Sequence, residues 1–151
     1  MARHPAWFAL ESSRAYGGRG WGRLRGETLP SGKLILVVDD ERAIRELLCR
    51  VLVIAGYDVE AAADGYEALE RVSTRRPDLI LLDLMMPVLD GWTVLDRLRD
   101  TSDPPPVVVV SAYLDRGRAV AAGASGYINK PFRSADLLEA CRRVLAGRPH
   151  E

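Results

Sequence analysis

Apolar positions in this chain follow two alternating patterns. Short unbroken runs occur at LILVV from Leu34, at DLILLD from Asp78 to Asp83, and at VVVVS ending at Ser111. Runs without alternation predict strands buried on both faces of a parallel sheet, because a half-solvated strand would interleave polar residues. A more polar run, Tyr57 to Ala62, predicts a further strand, and GYINKPF, Gly126 to Phe132, holds a short fifth one ending at Lys130. Between these runs apolar residues recur at helical spacing. Ile44, Leu47, Leu48, Val51 and Leu52 form one such set, stopped by Gly56. Ala68, Leu69 and Val72 form another, capped by Asp64 and ended before Pro77; Leu95 and Leu98 follow the loop LMMPVLDG. An alanine-rich helix spans Arg116 to Ala122 and is closed by Gly123. Leu137, Leu138, Cys141, Val144 and Leu145 share the face of a last helix, for which Ser134 is the expected cap. Five βα units predict an α/β fold, a doubly wound five-stranded parallel sheet with helices on both faces.

The 151 residues suit one domain with a real core, and the formal net charge of zero points to neither nucleic acid nor a membrane surface. The charge is unevenly spread. Residues 1–31 carry Arg3, Arg14, Arg19, Arg23 and Arg25 against Glu11 and Glu27, a net of +3 that leaves −3 for the rest. This segment has five glycines and no periodicity, and is expected to be a disordered basic tail. Its GGRGWGRLRG stretch is either bland or a contact for RNA and acidic surfaces. The domain is expected over 32–147, with 148–151 a short tail. Cys49 and Cys141 lie inside helical patterns and are expected to be buried reduced thiols, which suits a cytoplasmic protein. No apolar run approaches a membrane span, and the N-terminus lacks the apolar core of a secretory signal.

Where the polar residues fall changes the picture most. Asp39 and Asp40 end the first strand, Asp83 the third, Ser111 the fourth and Lys130 the fifth. Ligands of open α/β sheets bind beyond the carboxyl ends of strands, so one crevice can gather three carboxylates, a hydroxyl and an ammonium. Neighbouring carboxylates repel unless something offsets them, and oxygen ligands grouped this way suit Mg²⁺ or Mn²⁺. The simpler reading of the first acids is that Asp39 or Asp40 only caps the following helix. With a metal in place, Asp83 could attack a phosphoryl group and become an acyl phosphate, while Lys130 and Ser111 contact the transferring oxygens.

VVDDE, LLDLMMPVLDG, VVVVSAY and YINKPF together resemble the signature segments of a response-regulator receiver domain, over about residues 32 to 147. The resemblance implies a flavodoxin-like sheet of order 2-1-3-4-5. It implies that Asp83 is the phosphoacceptor, served by a histidine kinase or a histidine phosphotransfer protein. Asp39, Asp40 and Asp83 would hold Mg²⁺ with the backbone carbonyl of Met85, and Ser111 and Lys130 would contact the phosphate. Tyr127 takes the place of a switch aromatic that turns inward with Ser111, although a half-buried strand tyrosine is the plainer reading. Pro87 and Gly91 would shape the loop after the phosphoacceptor, and Pro131 stands where the family has a proline after a cis peptide. Met85 and Tyr113 occupy positions that tune phosphoryl lifetime in the family. Neither suits orienting a water, so slow self-dephosphorylation is expected.

The chain departs from the pattern in one place. Ser111 to Lys130 is about three residues shorter than usual, roughly one helical turn, and the loss falls on the fourth helix. Three readings follow. The first is a single-domain regulator without an attached DNA-binding domain, catalysing only its own phosphorylation and dephosphorylation, and acting by phosphorelay or partner binding. The second is a receiver-shaped scaffold that works without phosphorylation. The third, a phosphatase using Asp83 as nucleophile, lacks a second acid two residues on, where Met85 stands.

Overall fold

The computed structural model describes residues 32–113 and 115–147. The expected basic tail and the four C-terminal residues lie outside this range. Five strands alternate with five helices: β1 (Leu34–Val38), α1 (Arg42–Ile54), β2 (Asp58–Ala62), α2 (Gly65–Thr74), β3 (Leu79–Leu82), α3 (Gly91–Arg99), β4 (Val107–Ser111), α4 (Arg116–Ala121), β5 (Gly126–Asn129) and α5 (Ser134–Leu145). All four strand pairings are parallel and the order is β2-β1-β3-β4-β5. This is the doubly wound, flavodoxin-like sheet expected, with a fourth helix of only six residues.

The unbroken apolar runs are explained by the two cores they serve. Ile35, Val37, Leu79, Leu81, Val108 and Val110 point into one, shared with Leu48, Cys49 and Leu52 of α1 and with Leu137, Ala140, Cys141 and Val144 of α5. Leu36, Val38, Ile80, Leu82, Val107 and Val109 point into the other, with Ala68 of α2 and Val94, Leu95 and Leu98 of α3. Successive strand residues face opposite sides, so a sheet covered on both faces needs apolar residues at every position. Cys49 and Cys141 are free, buried thiols in the first core.

Details of the elements differ from the pattern-based reading. Leu47 is 46% exposed and Cys49 takes the inward place, because the buried stripe of α1 runs through residues 48, 49 and 52. Ser134 does not cap α5: it is the first helical residue, Arg133 holds the cap position, and no side chain accepts a bond there. β2 begins at Asp58 rather than Tyr57, and β5 stops at Asn129, leaving Lys130 just beyond it. Asp64 caps α2 as expected, accepting from Glu67 N, and Asp90 caps α3 in the same way through Thr93 N.

Candidate functional site

The sheet's order reverses between β1 and β3: from β1 the chain goes to β2 on one side, then returns to β3 on the other. Connections diverge at such a point and leave a crevice at the strands' carboxyl ends. Asp39 follows β1 directly, its N–H donating to Ala62 O at 3.2 Å, and Asp83 follows β3, donating to Val38 O at 2.9 Å. The ladder therefore continues one residue past each strand and fixes both carboxylates at the crevice.

Asp39, Asp40 and Asp83 each place a carboxylate oxygen within 4.8 Å of the others. Asp39 is 1% exposed and Asp83 5%, whereas Asp40 faces solvent. Lys130 Nζ lies 2.7 Å from Asp39 Oδ2 and 3.5 Å from Asp83 Oδ2. The remaining oxygens meet backbone donors: Glu41 N donates to Asp39 Oδ1 at 2.9 Å and Met85 N to Asp83 Oδ1 at 3.3 Å. Ser111 is fully buried, and its Oγ accepts from Tyr113 N at 3.2 Å. Lys130 N donates to Ser111 O at 3.1 Å, tying the ends of β4 and β5 together.

The charges do not balance, with three carboxylates facing one ammonium. Burial pushes the Asp83 carboxyl above its ordinary value; Lys130 opposes that push and Asp39 adds to it. Burial opposes protonation of Lys130, but its bonds to Asp39 and Asp83 outweigh this, and its ammonium is held more firmly than usual. An all-oxygen cluster with an excess of negative charge fits a hard divalent cation. Neither Asp39 nor Asp40 caps α1: Glu41 holds the cap position without a side-chain cap bond, and Asp39 Oδ1 accepts from Glu41 N only in a turn ahead of the helix.

The loop after Asp83 turns back on the strand it leaves. Gly91 N donates to Leu84 O at 3.0 Å, and a Cβ at Gly91 would stand 2.3 Å from Asp83 O. That glycine is therefore dictated by close backbone approach rather than by its place at a helix start. Leu89 N donates to Pro87 O at 2.8 Å, closing a three-residue turn in which Val88 has φ +70°, a rare conformation for a β-branched residue. The Lys130–Pro131 peptide is cis. Met85 and Tyr113 are exposed, and Tyr127 is partly buried with the Arg116 guanidinium 4.8 Å over its ring.

Pattern reading missed Arg45, whose Nη1 donates to Asp39 O at 2.7 Å, and the ring contact of Arg116. The one available signal for Arg45 was its place in the first turn of the helix following the acids.

Comparison with known proteins identifies the family. The family described as "Response regulator receiver domain" matches residues 35–142. A response regulator MprA from Mycobacterium sp. (strain KMS) is 47% identical over 114 residues, 74% of this chain and 50% of that protein; its Mycobacterium ulcerans namesake is 48% identical over the same length. The chain thus spans about half the length of the curated relatives it matches. Among solved structures, chemotaxis protein CheY4 of Vibrio cholerae superposes with a TM-score of 0.69 at 34% identity, covering 74% of this chain and 98% of that one. A putative response regulator from Chloroflexus aurantiacus gives 0.72 at 34%, covering 76% and 98%.

Proposed function

The chain belongs to the response regulator receiver family, and from that premise we propose that it accepts a phosphoryl group on Asp83 from the phosphohistidine of a histidine kinase or histidine phosphotransfer protein. The observation that carries this reading is the convergence of Asp39, Asp40 and Asp83 within 4.8 Å beside the Lys130 ammonium. A carboxylate oxygen of Asp83 attacks phosphorus as the phosphorus–nitrogen bond to the donor imidazole breaks; the freed imidazole takes up a proton, and Asp83 becomes an acyl phosphate. Lys130, already 3.5 Å from Asp83 Oδ2, offsets charge on the phosphoryl oxygens, and the Ser111 hydroxyl donates to one of them. Asp39, Asp40, Asp83 and the Met85 carbonyl would hold Mg²⁺ or Mn²⁺, which when bound would supply the remaining neutralisation of those oxygens.

Drawing Ser111 toward the phosphoryl group gives Tyr127 room to turn inward, which biases the surface around α4 and β5 between two arrangements. Pro87, Gly91 and Pro131 shape the loops that hold the site open. Output is phosphorylation-dependent partner binding or onward phosphorelay, and neither requires a second domain in the same chain. Among the described residues no helix is long and apolar enough to cross a membrane, and the reading places the reaction in the cytoplasm, where such kinases phosphorylate their receivers. Met85, 61% exposed, and Tyr113, 49% exposed, offer neither an acid nor an amide to orient an attacking water. The phosphoryl lifetime of the purified protein is therefore expected to be minutes or longer, and a half-life of seconds would contradict this.

The test is intact-protein mass after incubation with acetyl phosphate, with and without Mg²⁺, for wild type and Asp83→Asn. A Mg²⁺-dependent gain of one phosphoryl group, lost in the variant, supports the proposal. No gain by folded protein favours a receiver-shaped scaffold that works without phosphorylation, the reading to which the six-residue α4 lends weight.

A further inference from the structure

We propose that Arg45 is a positioning residue of the cation site: from α1 its guanidinium holds the backbone of Asp39 and Asp40, and so determines where their carboxylates stand. The inference rests on the reading that these acids hold a divalent ion. Arg45 lies in the first turn of α1, its own N–H donating to Glu41 O at 2.9 Å. Side chains on a helix lean toward its N-terminus, which carries this guanidinium back over the β1–α1 loop. There Nη1 donates to Asp39 O at 2.7 Å and lies 3.4 Å from Asp40 O, a short bond and a weak one from a single nitrogen.

The two acids need this support unequally. Asp39 is already anchored at both carboxylate oxygens, by Glu41 N and by Lys130 Nζ. The Asp40 carboxylate is exposed and, among the described residues, has no hydrogen bond or ion pair of its own, so only the backbone sets its place. The loop also lacks a capping anchor, since Glu41 makes no side-chain cap bond. Adjacent carboxylates push each other apart, and an untethered loop would relieve that repulsion by turning Asp40 outward.

Arg45 opposes this without competing for the ligands. It binds carbonyls rather than carboxylates, leaving the acidic oxygens to the cation, and it brings a permanent positive charge to a cluster with an excess of negative charge. Partners that orient ligands in this indirect way typically alter metal affinity by 10- to 100-fold.

The experiment is Mn²⁺ binding by calorimetry to wild type, Arg45→Met and Arg45→Lys, with thermal midpoints in chelator and in excess Mg²⁺. Arg45→Met keeps the apolar stem and removes the donors. Its Kd for Mn²⁺ is expected to rise roughly tenfold, its midpoint in chelator to stay near wild type, and its gain in midpoint on adding Mg²⁺ to shrink. Arg45→Lys, which keeps the charge on a shorter side chain ending in one nitrogen, is expected to fall between the two; it carries the test alone should Arg45→Met fail to fold. Unchanged Mn²⁺ affinity in both variants overturns the role, as does a loss of affinity matched by an equal loss of midpoint in chelator. Wild type that binds no Mn²⁺ overturns the cation-site reading itself, and the role of Arg45 with it.

Discussion

At the scale of single residues, the site keeps its geometry at a cost in stability, and the sign of that cost can be worked out. Asp83 has its folded value raised above the ordinary carboxylate value, chiefly by burial. Between the two values the folded chain holds the proton more tightly than the unfolded one, so stability falls as pH rises through that window and stays lower at neutral pH. Asp83→Asn removes the charge while keeping an acceptor for Met85 N, and Lys130 retains Asp39 at 2.7 Å. The variant is therefore expected to melt higher than wild type at pH 7 in chelator, with the difference shrinking in excess Mg²⁺ and at acid pH. A lower midpoint in chelator would show that the Lys130–Asp83 contact outweighs burial. Gly91 illustrates the opposite case, a residue fixed by contact. At an ordinary helix start Gly91→Ala would gain up to about 1 kcal/mol, but here the added Cβ meets Asp83 O at 2.3 Å and Leu84 Cα at 2.7 Å. Overpacking against backbone is expected to cost about 3 kcal/mol by urea unfolding, and an unchanged midpoint would refute the close approach.

At the scale of elements, α4 stands apart. It has six residues and buries one of them, Ala119, too few to hold a helix by propensity or burial. Its attachment comes from side chains. The Arg118 guanidinium lies 4.0 Å over the Trp92 ring of α3, Arg116 lies 4.8 Å over Tyr127 of β5, and Arg99 Nη1 donates to Ala121 O at 3.4 Å. A cation–π contact near solvent contributes about 0.5–1 kcal/mol. Arg118→Ala is accordingly expected to speed amide hydrogen exchange in α4 by about two- to fivefold, leaving β1 and β3 unchanged. Equal acceleration throughout the sheet would mean that α4 is not a separate unit. The elements themselves were legible in the sequence, because buried parallel strands must be apolar at every position and amphipathic helices must repeat at helical spacing. Their ends were less so. Ser134 looked like a cap, yet α5 begins on it, because cap identity depends on where the backbone turns into the helix and not only on residue type. The shortening of α4 was countable from the spacing of Ser111 and Lys130, but the arginine–aromatic contacts that hold it were not.

At the scale of the whole molecule, both cysteines sit in the core shared by α1 and α5, where burial pushes each thiol up to about 12. The unfolded chain releases these protons near the ordinary thiol value of 9.0, while the fold retains them. Their contribution is whole below that pH and is lost as pH rises toward 12, at up to about 1.4 kcal/mol per pH unit for each thiol. Urea midpoints measured between pH 8 and 11 are expected to fall less steeply in a Cys49→Ala, Cys141→Ala double variant than in wild type. Parallel slopes would show that the thiols are not the groups responsible.

The sequence by itself determined the strands, the helices and the strand-end addresses of Asp39, Asp40, Asp83, Ser111 and Lys130, because these follow from local periodicity and from the rule that loops begin where apolar runs stop. Only the tertiary structure decided the rest: that Lys130 sits 2.7 Å from Asp39 across 91 residues of chain, that Gly91 lies against the Asp83 carbonyl, that Val88 adopts a positive φ, and that Arg45 reaches back to the carbonyl of Asp39. Each of these depends on the distance between groups brought together by packing, and such distances are not a property of any local stretch of sequence.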